Sequence, residues 1–216
     1  MKIRGIGLVV ALVAISTLNT GCVVGRRVIA LDVPAVPAAS ADKGPISINQ
    51  VTDERKFENK PAEASTPSID GDVNKASKEM LATMIGRQRN GFGKAMGDIA
   101  IAPPDTVETK VRALVTEGLQ RRGYSVGASS DGPSVDIVIK EFWAWFRPGF
   151  AQIAFEAQIE TVVTIKSSGK DQTLTVSGHG REEGQVASDE HWQRAYRLAF
   201  EDYLKNLDTS LAGAGF

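Results

Sequence analysis

Residues 135–166 read VDIVIKEFWAWFRPGFAQIAFEAQIETVVTIK. The stretch has the period of a strand twice over, broken once. Val135, Ile137 and Ile139 alternate with Asp136, Val138 and Lys140, which predicts a first strand running to Phe146. Pro148-Gly149 is a turn signal. From residue 150 to 166 a second strand sets Ile153, Phe155, Ala157, Ile159, Thr161 and Val163 against Gln152, Ala154, Glu156, Gln158, Glu160 and Val162. Ser167-Ser168-Gly169-Lys170 turns the chain again, and residues 171–184 return. Loops this short join antiparallel neighbours.

The same reading extends in both directions. Beyond the third strand, Ser188 or Asp189 opens a helix with the stripe Trp192, Tyr196, Ala199, Phe200, Tyr203, Leu207 and Leu211. Before the meander, Pro104 and Asp105 open another helix, with Glu108 completing a capping box. Its stripe is Val107, Val111, Leu114, Val115, Gly118 and Leu119, and Gly123 can close it. Further upstream, Asn90-Gly91 between apolar pieces predicts a hairpin. Ile46, Ile48 and Val51 mark a strand ending near Asp53, and residues 73–84 read either as a short helix or as an irregular lead-in. The expected fold is α+β, an antiparallel sheet with two amphipathic helices packed on one face, over residues 46–211.

The front of the chain is of another kind. Lys2 and Arg4 precede an uncharged apolar run over residues 6–18, and small Thr20 and Gly21 precede Cys22. The run is shorter than the roughly 20 residues of a membrane span, and it suits a signal-peptide core. Cys22 is the only cysteine of the chain. Leu18-Asn19-Thr20-Gly21-Cys22 resembles a lipobox, with Asn19 standing where an aliphatic residue is usual. The expectation is a signal peptide over residues 1–21 and a lipid on Cys22. The plainer alternative is a secretory signal with Cys22 an incidental thiol. Val23, in place of a retaining aspartate, implies the outer membrane and its periplasmic face. Residues 22–45, with Pro34, Pro37 and Pro45, read as lipid anchor and tether.

Without Lys2 and Arg4 the remaining chain is weakly acidic, and the whole chain has a net charge of −1. No field for nucleic acid follows from that balance.

Asp53 and Arg55 after the first strand, Arg89-Asn90-Gly91, and Arg122-Gly123-Tyr124, together with the order of elements, resemble the YajG-type bacterial lipoproteins. The resemblance covers most of residues 22–216. It implies an envelope lipoprotein and brings no catalytic residues with it. A more distant likeness is to small α+β envelope lipoproteins that serve as accessory subunits of transporters, cell-wall synthases or outer-membrane assembly machines.

A search for chemistry turns up little. His179 and His191 are the two histidines, and neither sits in a metal-ligand spacing. His179, Arg181 and Glu183 share one strand face, which reads as a solvated charged surface. Gly91-Phe92-Gly93-Lys94 and Gly178-His179-Gly180 lack phosphate-loop spacing and read as a hairpin tip and a close backbone approach. The expectation is no catalytic residue, no cofactor and no metal. The less favoured alternative is an enzyme acting on peptidoglycan or lipid.

The aromatic hairpin is the odd feature. Strand parity carries Val135, Ile137 and Ile139 on to Trp143 and Trp145, which predicts that the tryptophans are core. Phe142 and Phe146 then fall on the outer face. With Arg147 and Phe150 they would form a partner-binding site for another envelope protein or cell-wall component, beside the membrane contact made by the lipid. Cover of that face by the tether or by residues 58–72 is the competing outcome.

Overall fold

The computed structural model describes residues 25–35, 37, 42–90, 92–127, 132–149, 152–167, 171–185 and 187–216. Cys22 and Phe150 lie outside them. The elements run β1 (Arg27–Ile29), β2 (Gly44–Asp53), a 3-10 turn (Val73–Lys75), α1 (Lys78–Thr83), β3 (Met84–Arg89), β4 (Ala95–Ile101), α2 (Val107–Arg121), β5 (Tyr124–Val126), β6 (Ser134–Pro148), β7 (Ile153–Lys166), β8 (Gln172–Gly184) and α3 (Asp189–Gly213). The fold is α+β.

The sheet has eight strands and is mixed. β6 is its spine. On one side it pairs antiparallel with β7, and β7 with β8. On the other side its first half pairs parallel with β2 and its second half parallel with β3. β3 and β4 form the expected Asn-Gly hairpin. β1 and β5 add parallel pairs to β4 and β2. Both long helices pack on one face and share one core with it. The α2 stripe is buried as its spacing predicts, and so is the α3 stripe.

Three sequence expectations need correction, two of them small. The tether expected over residues 22–45 is partly domain: Arg27–Ile29 is a strand, and Ile29 and Leu31 are buried in the core. The cap of α2 is Thr106, which exchanges hydrogen bonds with Thr109. Glu108 instead accepts the Asp53 N–H at 3.1 Å, tying the helix to the end of β2.

The larger correction is in β6. Ile139 faces Thr161, and Glu141 faces Glu160, so Lys140 is an extra residue in the ladder. A bulge of one residue reverses which side chains point inward. Val135, Ile137 and Ile139 face the helices, and beyond the bulge Phe142, Ala144 and Phe146 take over that role. Phe142 stacks on Tyr196 at 5.0 Å between ring centroids, and Phe146 meets Trp192 edge-on.

Trp143 and Trp145 are thereby turned to the opposite face, where they are still buried. Residues 57–84 fold over them, and Ile69, Met84 and Ala100 join the tryptophans in a second small core edged by Phe57, Ala64, Met80 and Leu81. The Trp143 indole N–H donates to the Ala64 carbonyl at 3.3 Å.

α3 lies close to β8 because Gly178 and Gly180 stand where side chains would project. A Cβ on Gly180 would collide with the Ala195 carbonyl oxygen and the Ala199 nitrogen. Both obstacles are helix backbone, which cannot rotate away. Gly180→Ala should therefore cost about 1–3 kcal/mol by lifting α3 from the sheet. Chemical denaturation would measure it, and an unchanged midpoint would show that the helix has slack.

Candidate functional site

The partner site expected at Phe142, Phe146, Arg147 and Phe150 is not assembled. Phe142 is 0% exposed and Phe146 8%, both under the helices because of the Lys140 bulge. Arg147 is exposed near the end of β6. Phe150 and the proposed lipid-bearing Cys22 are outside the described residues.

The face opposite the helices offers another site. Between β6, β7 and the strap that follows β2 lies a cleft of about 760 Å³. The strap begins at Glu54, just past the end of β2, and its Ser65, Thr66 and Pro67 line the cleft. Trp143 and Trp145 line its floor while remaining almost wholly buried. Around them stand Glu54, Glu58, Glu141 and Glu160, against Lys56 and Lys140. Lys140 is held by Glu54 at 2.6 Å, so its charge is already answered.

Glu141 and Glu160 are direct cross-strand partners. Like charges in that position repel. Glu141 is solvent-exposed, yet neighbouring protein withholds enough water to push its carboxyl up, and the Glu160 charge pushes it further. A cation entering the cleft would relieve the repulsion. The arrangement suits a lysine or arginine side chain of a partner. It holds neither histidine nor cysteine.

Along the same face Glu156 is a buried carboxylate, its side chain 5% exposed. It accepts from His179 Nε2 at 2.7 Å and pairs with Arg181 at 3.1 Å, and Arg181 reaches Glu183 at 3.0 Å. These bonds, the one to Glu183 first, hold the Arg181 guanidinium above its ordinary value. His179, Arg181 and Glu183 share a face as expected, with Glu156 as their centre. Sequence reading placed Glu156, Gln158 and Glu160 on one side of β7 but could not set them beside Glu141, because that juxtaposition depends on the bulge. Among the described residues no three metal-ligating side chains converge, and no helix is long and apolar enough to cross a membrane.

No family model and no curated protein matches the chain. Solved structures with a related outline include protein XCC0632 from Xanthomonas campestris, of family DUF330, at 13% identity and TM-score 0.48, covering 88% of this chain and 98% of that one. An uncharacterized protein matches at 9% identity and TM-score 0.43, over 87% and 97% of the two chains. The hypothetical protein CT253 from Chlamydia trachomatis matches at 12% identity and TM-score 0.27, over 79% and 96%.

Proposed function

We propose that this chain is an envelope lipoprotein of the YajG type, held on the periplasmic face of the outer membrane by a lipid on Cys22. Its domain performs no catalysis and binds another envelope component through the acidic, tryptophan-floored cleft. Support for the anchor is the position of the sole cysteine at the end of an export signal. Support for binding is the cleft itself, where the Glu141–Glu160 repulsion favours a basic segment of a partner.

A photo-reactive amino acid at Ser65, on the exposed rim, should give a discrete adduct in the intact envelope. The same group at Asp171, in the β7–β8 turn, should not. Glu141→Lys with Glu160→Lys should remove the adduct while leaving the melting temperature within a few degrees. Equal adducts at both positions, or an adduct indifferent to the charge reversal, would refute the cleft as the binding site. Mass spectrometry of the mature protein should find a diacylglyceryl-modified Cys22, and a free thiol there would end the anchor reading.

A further inference from the structure

The described chain begins three residues after Cys22, and it begins inside the fold. The Gly25 N–H donates to the Met96 carbonyl at 3.1 Å. Two residues later β1 pairs parallel with β4, Arg27 opposite Ile99. Three extended residues span at most about 11 Å. A lipid on Cys22 would hold this end of the sheet at the membrane surface, with no long tether between.

The direction of β1 decides what else is there. Because β1 and β4 are parallel, the N-terminal end of β1 points the way β4 runs back, to the tip of the β3–β4 hairpin. That tip is a built turn. The Asn90 carboxamide oxygen accepts from the N–H of Phe92 at 3.0 Å and of Lys94 at 2.9 Å, and the Asn90 N–H donates to the Lys94 carbonyl at 2.8 Å. At its apex Phe92 is 98% exposed, while the other exposed large apolar side chains among the described residues, Val28 and Leu198, are 54% and 38%. A nearly naked phenylalanine on a rigid turn has no role in this fold's own packing.

Beside the tip is a shallow cavity of about 230 Å³ lined by Lys60, Arg87 and Arg89 with no acid among its lining residues. Arg87 is committed elsewhere: it donates to the Ile69 carbonyl and pairs with Asp70 at 3.4 Å and Asp98 at 3.7 Å. Arg89 is not. One of its amino groups donates to the Pro61 carbonyl at 3.0 Å, but its buried Nε has no partner. Burial first, and then the Arg87 charge, push the Arg89 guanidinium down, with Glu63 opposing. An anion in the cavity would answer the surplus charge of Arg89 and Lys60.

We propose that the β3–β4 hairpin tip is a second membrane contact beside the lipid, in which Phe92 enters the interface of the leaflet that holds the Cys22 lipid and Arg89 with Lys60 binds a phospholipid headgroup phosphate. The orientation of this contact rests on the lipid-anchor reading; the affinity of the tip for phospholipid does not. A lipidated cysteine holds the chain at the membrane but lets the domain swing, and a second contact fixes its pose. Since Arg87 is opposite Trp145, Glu141 stands six strand residues above the level of Arg89, or about 20 Å at the rise of a strand. The tip would hold the cleft at that height, facing sideways into the periplasm.

Two measurements separate the readings. In the first, the chain from residue 22, with Cys22→Ser so that no lipid is present, is sedimented with vesicles of phosphatidylethanolamine and phosphatidylglycerol. The unlipidated chain keeps every strand and helix described above. It should bind, more weakly as salt rises. Phe92→Asp should lower the partition by about tenfold, and Lys60→Asn with Arg89→Gln by about tenfold or more with a flattened salt dependence. Asparagine is chosen at residue 60 because Lys60 has a φ of +52°, which asparagine tolerates. Binding that neither variant weakens would overturn the proposal, as would binding of inorganic phosphate at Arg89 without any vesicle binding.

In the second, the lipidated protein carries Phe92→Cys or Asp171→Cys. The lipid blocks the Cys22 sulfur, so the new thiol alone takes a fluorophore. Phospholipids brominated on the acyl chain should quench the label at residue 92 and spare the one at 171, at the far end of the sheet. An unquenched label at 92 on protein whose Cys22 is shown by mass spectrometry to be lipidated overturns the contact. If Cys22 proves unmodified, the anchor reading fails, and the vesicle assay alone still decides the tip.

Discussion

Trp143→Ala and Phe142→Ala are expected to destabilise the protein by comparable amounts, about 3–5 kcal/mol each, although the two side chains stand on opposite faces of β6. For a chain of this size that is a fall in melting temperature of roughly 6–20 °C. The equality is the informative part. Phe142 is packed between sheet and helices, where a large loss is expected of any buried aromatic ring. Trp143 is covered only by residues 57–84, and it is nonetheless 1% exposed, crossed edge-on by Phe57 at 5.8 Å. If that cover were loosely held, Trp143→Ala would act as a surface change, within about 0.5 kcal/mol. Thermal melts followed by circular dichroism would show it. Limited proteolysis distinguishes the two sites further: Trp143→Ala should open residues 57–72 to cleavage below the global transition, whereas Phe142→Ala should not.

How the sequence and the fold relate is best seen at β6 itself. The helices were legible because a 3.6-residue stripe needs no knowledge of its partner. Val107 to Leu119 and Trp192 to Leu211 were each read with the right face inward. The meander was legible because its turns are short. The inward face of β6 beyond residue 139 was not. Alternation tells which residues share a face only while the ladder is regular, and a bulge adds a residue without a compositional mark. Here the usual check also failed, since 142–146 is apolar on both sides and either parity looks acceptable. The one trace is Lys140-Glu141, two adjacent charges inside a buried strand. The parallel pairings β2–β6, β3–β6 and β1–β4 were equally hidden, because they join segments far apart in sequence. The cleft depends on both: the bulge puts Glu141 opposite Glu160, and the strap beyond β2 walls it.

The short motifs that gave the family resemblance turn out to be structural fasteners, and the strongest of them should be Arg55. Its side chain is 0% exposed. It pairs with Asp53 at 2.8 Å and donates to the carbonyls of Met84 at 2.6 Å, Leu81 at 2.8 Å and Phe142 at 3.0 Å. One guanidinium therefore joins the end of β2, the end of α1, the start of β3 and the middle of β6, with Phe57 at 5.2 Å from its ring centroid. Arg89-Asn90 builds the hairpin tip, and Arg122 fastens the end of α2 to Asp208 and to the carbonyl of Phe216. Those two lie nearer solvent, and their loss should cost less. Arg55→Met keeps most of the volume but leaves the partly buried Asp53 charge without its cation and three carbonyls without their donor, so it should cost about 3 kcal/mol. Arg55→Lys should recover little of this, because an ammonium cannot reach four acceptors in a plane. Adding Asp53→Asn to Arg55→Met removes the orphaned charge and should restore part of the loss. Because the guanidinium is buried and Asp53 mostly covered, raising salt should change these values little. Denaturant titration of the set would measure them. If Arg55→Lys lies within about 0.5 kcal/mol of the parent, the planar fork is not what joins the four segments, and charge alone suffices.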